Sequence, residues 1–219
     1  AGSPRQRGQR NRFASLTGGA ARGDKVLLVG LEGAGKSSLV WALQSLSKGA
    51  GSRRGSAGEL AVGGEGSPAG PPALVAPPPT VRPVHTPVSL HGRTCAVVEM
   101  PGGAGARGAW EPAVSGVGCV VFVVDSADGV RMPLARSALH GLLGPMQAAK
   151  VPLLVLAAKQ GRAGAEQAEA VGDALGVREM ADQGLDCAVR PCDAADPGSV
   201  ADALRWALTG SYSAPNKQA

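Results

Sequence analysis

Lys36 and Ser37 close the stretch Gly30-Leu31-Glu32-Gly33-Ala34-Gly35-Lys36-Ser37, a complete G-x-x-x-x-G-K-[ST] pattern whose residue types suit phosphate. Glycines let backbone N–H groups turn inward around phosphate oxygens, and a following helix presents its positive N-terminal end. Lys36 adds a mobile cation, and Ser37 a hydroxyl for Mg²⁺. The pattern carries weight only between a strand and a helix. Here the apolar run Val26-Leu27-Leu28-Val29 precedes it and the helix-like Ser38-Leu39-Val40-Trp41-Ala42-Leu43 follows. A Gly-rich chain produces such a string by accident, but the flanking elements argue for a nucleotide-binding origin.

Other candidate chemistry is thin. His85, His91 and His140 are scattered without metal-ligand spacing and read as surface or strand residues. Cys95, Cys119, Cys187 and Cys192 lack C-x-x-C pairs, and two of them fall in apolar runs; they read as buried thiols in a reducing compartment. Trp41, Trp110 and Trp206 form no stacking platform for nucleic acid; Trp41 and Trp206 lie on helix-like stretches and suit the core or its rim.

The elements that must position the loop are legible from periodicity. Strand signals recur at Val26 to Val29, Val84 to Leu90, Thr94 to Val98, Cys119 to Val124, Leu153 to Ala157 and Cys187 to Arg190. Between most of them lie helix-like stretches: Lys36 to Leu46, Arg131 to Leu143, Ala165 to Leu175, and a last helix from Asp196-Pro197. In that helix Asp196 suits the N-cap, Pro197 the first position, and Val200, Leu204 and Leu208 an inward face. Arg131 to His140 carries the mixed charge of a solvated helix face. Continuous apolar runs such as Cys119 to Val124 suit strands covered on both faces, the mark of a parallel sheet between helices. Val84, Thr86, Val88 and Leu90 alternate instead, and the short His91-Gly92-Arg93 link makes that strand an antiparallel edge. The expected fold class is therefore α/β: a single phosphate-loop domain, a mostly parallel six-stranded sheet with one antiparallel edge strand, and helices on both faces.

A chain of 219 residues fits one such domain with appendages. Its core is aliphatic, since aromatics make up only 3% of the chain. The net charge of +5 is concentrated at the start, where Arg5, Arg7, Arg10, Arg12, Arg22 and Lys25 face only Asp24. Residues 1–24 read as a basic disordered arm, suited to an acidic surface or simply solvated. An Arg-rich, acid-poor start is also similar to an organelle transit peptide. Residues 48–79, a Gly, Ser, Pro and Ala mixture, read as a disordered insertion, and 211–219 as a loose tail. No apolar run reaches the length of a membrane span, so a soluble chain is expected.

In chain order, the phosphate loop, Pro79-Thr80, the turn Glu99-Met100-Pro101-Gly102-Gly103, the run Phe122-Val123-Val124-Asp125-Ser126-Ala127-Asp128 and Ala157-Ala158-Lys159-Gln160 resemble the ADP-ribosylation-factor-like small GTPases across about residues 25–210. The Glu-Met-Pro-Gly turn is also similar to that of the signal recognition particle receptor beta subunit. The resemblance implies GTP or GDP with Mg²⁺ as ligands. It places nucleotide contacts at Glu32, Gly33, Ala34, Gly35, Lys36, Ser37 and Ser38, at Gly102 and Gly103, and at Lys159, Cys192 and Asp193. Metal contacts fall on Ser37, Thr80 and Glu99, with Thr80 either the sensor of the terminal phosphate or merely the residue that opens a strand.

Two departures from the family pattern bear on turnover. The metal-holding Asp-x-x-Gly motif is matched by Glu99 and Gly102, one methylene longer, or by the neighbouring frame of Met100 and Gly103, which has no carboxylate. In either frame the next residue is Gly103 or Ala104 rather than the Gln that orients the attacking water, so hydrolysis is expected to be slow or absent. The base-reading Asn-Lys-x-Asp becomes Ala158-Lys159-Gln160-Gly161. Lys159 keeps its stem for packing on the base, but the carboxylate is gone. Hydrogen bonds to charged groups are worth about 1.5–3 kcal/mol each, so guanine selectivity is put in doubt. Asp193 stands where it either replaces that carboxylate or caps a turn. The function expected is a divergent GTP-binding scaffold or adaptor in a larger assembly. The alternatives are a regulated GTPase completed by a partner protein and a structural module without nucleotide. By family analogy the place of action is the cytoplasm, an endomembrane or a cilium.

Overall fold

Leu27 and Val29 face one side of a sheet and Val26 and Leu28 the other, and all four are buried, so the strand before the phosphate loop is covered on both faces. The computed structural model describes residues 25–51, 78–90 and 93–209. Its elements run β1 (Lys25–Val29), α1 (Lys36–Gly51), β2 (Val84–Leu90), β3 (Arg93–Glu99), α2 (Trp110–Ala113), β4 (Cys119–Asp125), α3 (Met132–His140), α4 (Leu143–Ala149), β5 (Leu153–Ala158), α5 (Ala168–Leu175), α6 (Val177–Asp182), β6 (Cys187–Pro191) and α7 (Pro197–Thr209). Short 3₁₀ turns cover Ala104–Ala109 and Gly129–Arg131.

The strands form one six-stranded sheet in the order β2-β3-β1-β4-β5-β6, parallel throughout except for the antiparallel β2-β3 pair. The expected fold class is therefore present, edge strand included. Pro87 sits in that edge strand opposite Ala96, where a missing N–H leaves fewer ladder bonds unmade than in a central strand. On one face α1 packs against α7, and Val200, Leu204 and Leu208 of α7 are buried there beside Val121 and Val123. On the other face the helices α3, α5 and α6 cover Val120, Phe122 and Val155.

Several element boundaries differ from expectation. The single helix expected over Arg131 to Leu143 is two helices, α3 and α4, parted at Gly141-Leu142. Pro145 explains the break: it has no N–H to give residue 141, and its ring would clash with that carbonyl, so the helix must restart within a turn of it. Gly176, left-handed at φ +75, ends α5 and lets the unanticipated α6 turn Val177 and Met180 into the core. α1 continues to Gly51, into the stretch expected to be a disordered insertion. The rest of that insertion (52–77), the basic arm (1–24), His91 and the tail (211–219) lie outside the described residues. Trp206 is buried as expected, whereas Trp41 is 53% exposed and lies outside the core.

Candidate functional site

The carboxyl ends of the parallel strands open into a cleft of about 660 Å³ between the 30–37 loop, the Pro101-Gly102 turn and the 158–162 and 193–195 loops. That volume suits a small organic ligand. β1 delivers the loop at Gly30, whose φ of +144 belongs to glycine, and a Cβ there would stand 2.3 Å from the Val123 carbonyl oxygen. The chain must be glycine at this crossing if the loop is to pass over β4.

Lys36, the first residue of α1, is buried, and its Nζ donates to the carbonyl oxygens of Gly30 at 2.8 Å and Leu31 at 3.0 Å. Burial pushes its pKa from 10.5 down to about 8, against the opposing pull of Glu99 and Glu32, while Arg107 adds to the lowering. A cation that desolvated gains by meeting an anion. The loop therefore presents a helix N-terminus, backbone amides and a partly stripped ammonium to one spot.

Ser37, Thr80 and Glu99 converge beside it. Ser37 Oγ donates to Glu99 Oε1 at 2.5 Å, Thr80 Oγ1 donates to the same oxygen at 2.7 Å, and the two hydroxyls are 3.1 Å apart. Three hard oxygens with these separations resemble one face of an octahedron around Mg²⁺, whose neighbouring ligands stand about 3 Å apart. The donor set fits that ion. The geometry also selects between the two motif frames: Glu99 faces the cleft, and Met100 is buried among the core residues of the opposite sheet face. Gly102 then packs on the phosphate loop so closely that a Cβ would lie 2.5 Å from Glu32 N and Leu31 C. Trp110 anchors this turn from behind, its Nε1 donating to the Pro101 carbonyl at 2.8 Å and its ring meeting Phe122 edge-on at 6.2 Å.

At the far end of the cleft Lys159, left-handed at φ +64, ties two walls together. Its Nζ donates to the Gly33 carbonyl at 2.6 Å and to Asp125 Oδ2 at 2.5 Å. Gln160 continues the clamp through Ser126 Oγ at 2.8 Å and the Glu166 carbonyl at 2.9 Å. Asp193 accepts from Gly161 N at 2.7 Å and from Ala195 N at 2.9 Å, so it does cap a turn, as one of the two expected roles has it.

Most sequence-derived site residues line this one cleft: Glu32, Gly33, Gly35, Lys36, Ser37 and Ser38 from the loop, then Thr80, Glu99, Gly102 and Gly103, then Lys159 and Asp193. Ala34 and Cys192 do not. Both side chains are buried in the core between the sheet and α1 and α7, and burial pushes the Cys192 thiol up to about 12. Any contact they make with a ligand must be through backbone.

Sequence reasoning missed three groups that shape the cleft. Asp125 is buried and holds Lys159 in place, with Arg162 3.5 Å away. Arg107 Nε donates to the Gly102 carbonyl at 3.2 Å, and Arg131 Nη1 to that of Glu32 at 2.8 Å. The last had a local signal, since Asp128 three residues earlier accepts from both the backbone and the side chain of Arg131. Arg107 had none, because its partner is a backbone carbonyl fixed by tertiary packing.

Comparison with solved structures returns the same architecture. The Arl6 (BBS3) small GTPase of Trypanosoma brucei with the bound nucleotide analogue GppNp superposes with a TM-score of 0.62, covering 84% of this chain and 94% of that one at 19% identity. The mammalian signal recognition particle receptor superposes with a TM-score of 0.58 at 20% identity, covering 78% and 92%. Among curated relatives, ADP-ribosylation factor-like protein 8b of Arabidopsis thaliana is 35% identical over 86 residues, 39% of this chain and 47% of its own length. Protein 8c of the same plant is 31% identical over 108 residues, 49% and 58%. The mouse (Mus musculus) ADP-ribosylation factor-like protein 4D is 44% identical over 77 residues, 35% and 38%. The chain thus spans about half the length of the curated relatives it matches. At the level of whole families, residues 72–210 match the ADP-ribosylation factor family, a span that takes in Thr80, Glu99, Lys159 and Asp193 and stops short of the phosphate loop. With a matching fold and most of its length within that span, the chain belongs to the ADP-ribosylation factor family.

Proposed function

We propose that the cleft holds a guanine nucleotide with Mg²⁺, turns it over slowly or not at all, and that the loaded domain serves as a scaffold or adaptor in a larger assembly. The observation that carries this is the contrast between a complete phosphate cradle and the space beside Gly103. There, a Cβ would find one non-neighbouring atom within 4 Å, Glu32 Oε2 at 3.9 Å, and no amide to orient a water. Ser37, Thr80 and Glu99 would hold the metal, which when bound offsets charge on the phosphates. Lys36 and the loop amides bind the phosphates, Lys159 positions its stem along the base, and the Gly102 turn closes on the terminal phosphate. The relative from Trypanosoma brucei was solved with a nucleotide analogue, and the same ligand class is carried over here. The basic arm at 1–24 would attach to an acidic surface, in the cytoplasm or at an endomembrane or cilium. None of the helices in the described residues is long and apolar enough to cross a membrane.

Native mass spectrometry of the purified protein tests retention, and phosphate release over hours tests turnover. Retained GTP or GDP with little release is the expected result. An empty site that ignores added GTP and Mg²⁺ would leave only a structural module, as would a Lys36→Ala variant that assembles normally. A regulated switch is the second reading, favoured by the exposure of Ala104 and Gly105, which leaves room for a partner's side chain. Phosphate release that rises on adding an activator protein would establish it.

A further inference from the structure

The wall that the 158–162 and 193–195 loops give the cleft is made of Ala158, Lys159, Arg162, Asp193, Ala194 and Ala195. The three carboxylates on the cleft wall are Glu32, Glu99 and Asp193; the first two stand at the phosphate and metal end, so Asp193 is the one at the other end among the described residues. Its two oxygens are each fixed by a backbone N–H, from Gly161 and from Ala195. A carboxylate oxygen accepts more than one bond, so each keeps a free lone pair. The group is thus a rigid pair of acceptors that needs no reordering to meet a ligand. Residue 161 has no side chain, and the place its Cβ would take lies 2.8 Å from Asp193 Oδ2. The Asp193 carboxylate occupies the space a side chain at 161 would fill.

We propose that Asp193 is the specificity-determining residue of the cleft, reading guanine by accepting from its N1–H and 2-amino groups. This rests on the nucleotide-binding reading above. Two acceptors side by side match a base edge with two adjacent donors. Guanine has that edge; adenine offers an amino group beside a ring acceptor, which a carboxylate repels. A turn cap alone would carry no such preference.

Affinities for GDP, ADP, XDP and inorganic pyrophosphate, measured by calorimetry on the full chain, test this. The parent is expected to prefer GDP over ADP by about a hundredfold or more. In Asp193→Asn one acceptor becomes a donor, matching the 2-carbonyl of xanthine, and the GDP-to-XDP ratio is expected to fall by about a hundredfold with pyrophosphate binding unchanged. Equal binding of GDP and ADP by the parent overturns the proposal, and so does an unchanged GDP-to-XDP ratio in the variant. Failure of the parent to bind either GDP or pyrophosphate overturns the nucleotide reading itself. Should Asp193→Asn unfold by circular dichroism, Asp193→Ser decides, since it keeps one oxygen near the turn N–H groups but removes the paired acceptors: loss of the GDP-over-ADP preference with pyrophosphate binding unchanged supports the proposal, and a folded variant that keeps the preference overturns it.

Discussion

Gly102 and Gly103 are neighbours in sequence with opposite surroundings, so one added methyl group should have opposite effects at the two positions. At Gly102 the new Cβ would stand 2.5 Å from Glu32 N and Leu31 C and 2.6 Å from the Gly30 carbonyl oxygen, all backbone atoms of the phosphate loop. Reaching an ordinary contact of 3.4 Å or more requires the turn to withdraw by roughly 0.9 Å, and overpacking of that kind costs about 1–3 kcal/mol. Withdrawal also stretches the 2.8 Å bond between Trp110 and the Pro101 carbonyl, adding about 1 kcal/mol or more. Gly102→Ala should thus lose about 2–4 kcal/mol, lowering Tm by roughly 5–15 °C in a domain of this size. At Gly103 the backbone is extended (φ −64, ψ 152) and the nearest atom is 3.9 Å away, so Gly103→Ala should be neutral or gain a few tenths of a kcal/mol from the stiffer unfolded chain. Thermal unfolding of both variants, stripped of nucleotide and then loaded with GDP or a non-hydrolysable GTP analogue, gives the comparison. Binding of the analogue should suffer more than that of GDP in Gly102→Ala. Equal stability of the two variants, within about 0.5 kcal/mol, would refute the seating of the turn on the loop.

Trp110→Phe keeps the ring against Phe122 but leaves the Pro101 carbonyl without its donor, and should cost about 1–3 kcal/mol in chemical unfolding. Lys159→Met removes the nearer of the two cations beside the buried Asp125, leaving Arg162 at 3.5 Å, together with the tie to Gly33; a stability loss of about 1–3 kcal/mol and faster nucleotide release by stopped-flow are expected. Lys36 is held down to about 8 by burial, so between pH 8 and its unfolded value of 10.5 the unfolded chain carries the extra proton. Its penalty is full below pH 8 and relieved above it. The raised Cys187 and Cys192 thiols act the other way once pH passes 9. From pH 8 to 9 the nucleotide-free protein should therefore gain about 1 kcal/mol relative to Lys36→Arg, which stays charged, when both are unfolded in urea. Removing divalent cations with EDTA should speed nucleotide loss in the parent and have less effect in Glu99→Gln, read by native mass spectrometry.

The central strands were legible because burial on both faces demands unbroken apolar runs, and Cys119 to Val124 has no polar residue to mislead. α7 was legible for a different reason: Asp196, Pro197 and the Val200, Leu204, Leu208 stripe are all local. The 30–37 loop was legible from a motif whose spacing is set by backbone geometry, whereas Thr80 and Glu99 were singled out by the family resemblance rather than by any local pattern. What escaped notice depends on contacts between distant segments. α6 forms because left-handed Gly176 ends α5 and Met180 finds a core to fill, and neither fact is periodic in sequence. Arg107 and Arg131 reach the loop through backbone carbonyls, which no residue type announces. Asp193 was visible both as a turn residue and as a stand-in for the carboxylate missing at 161, but only the folded chain brings its oxygen into the space beside Gly161.

The buried seat of Trp110 makes the protein its own optical probe. Its indole is 1% exposed and bonded to a turn that lines the cleft, whereas Trp206 lies with α1 and α7 on the opposite sheet face and Trp41 is open to water. Emission from a dry, hydrogen-bonded indole lies to the blue of that from a wet one, so displacement of Pro101 and Gly102 would change the short-wavelength part of the spectrum and leave the contribution of Trp41 in place. Binding and release of the proposed nucleotide would then be followed in real time without attaching a dye.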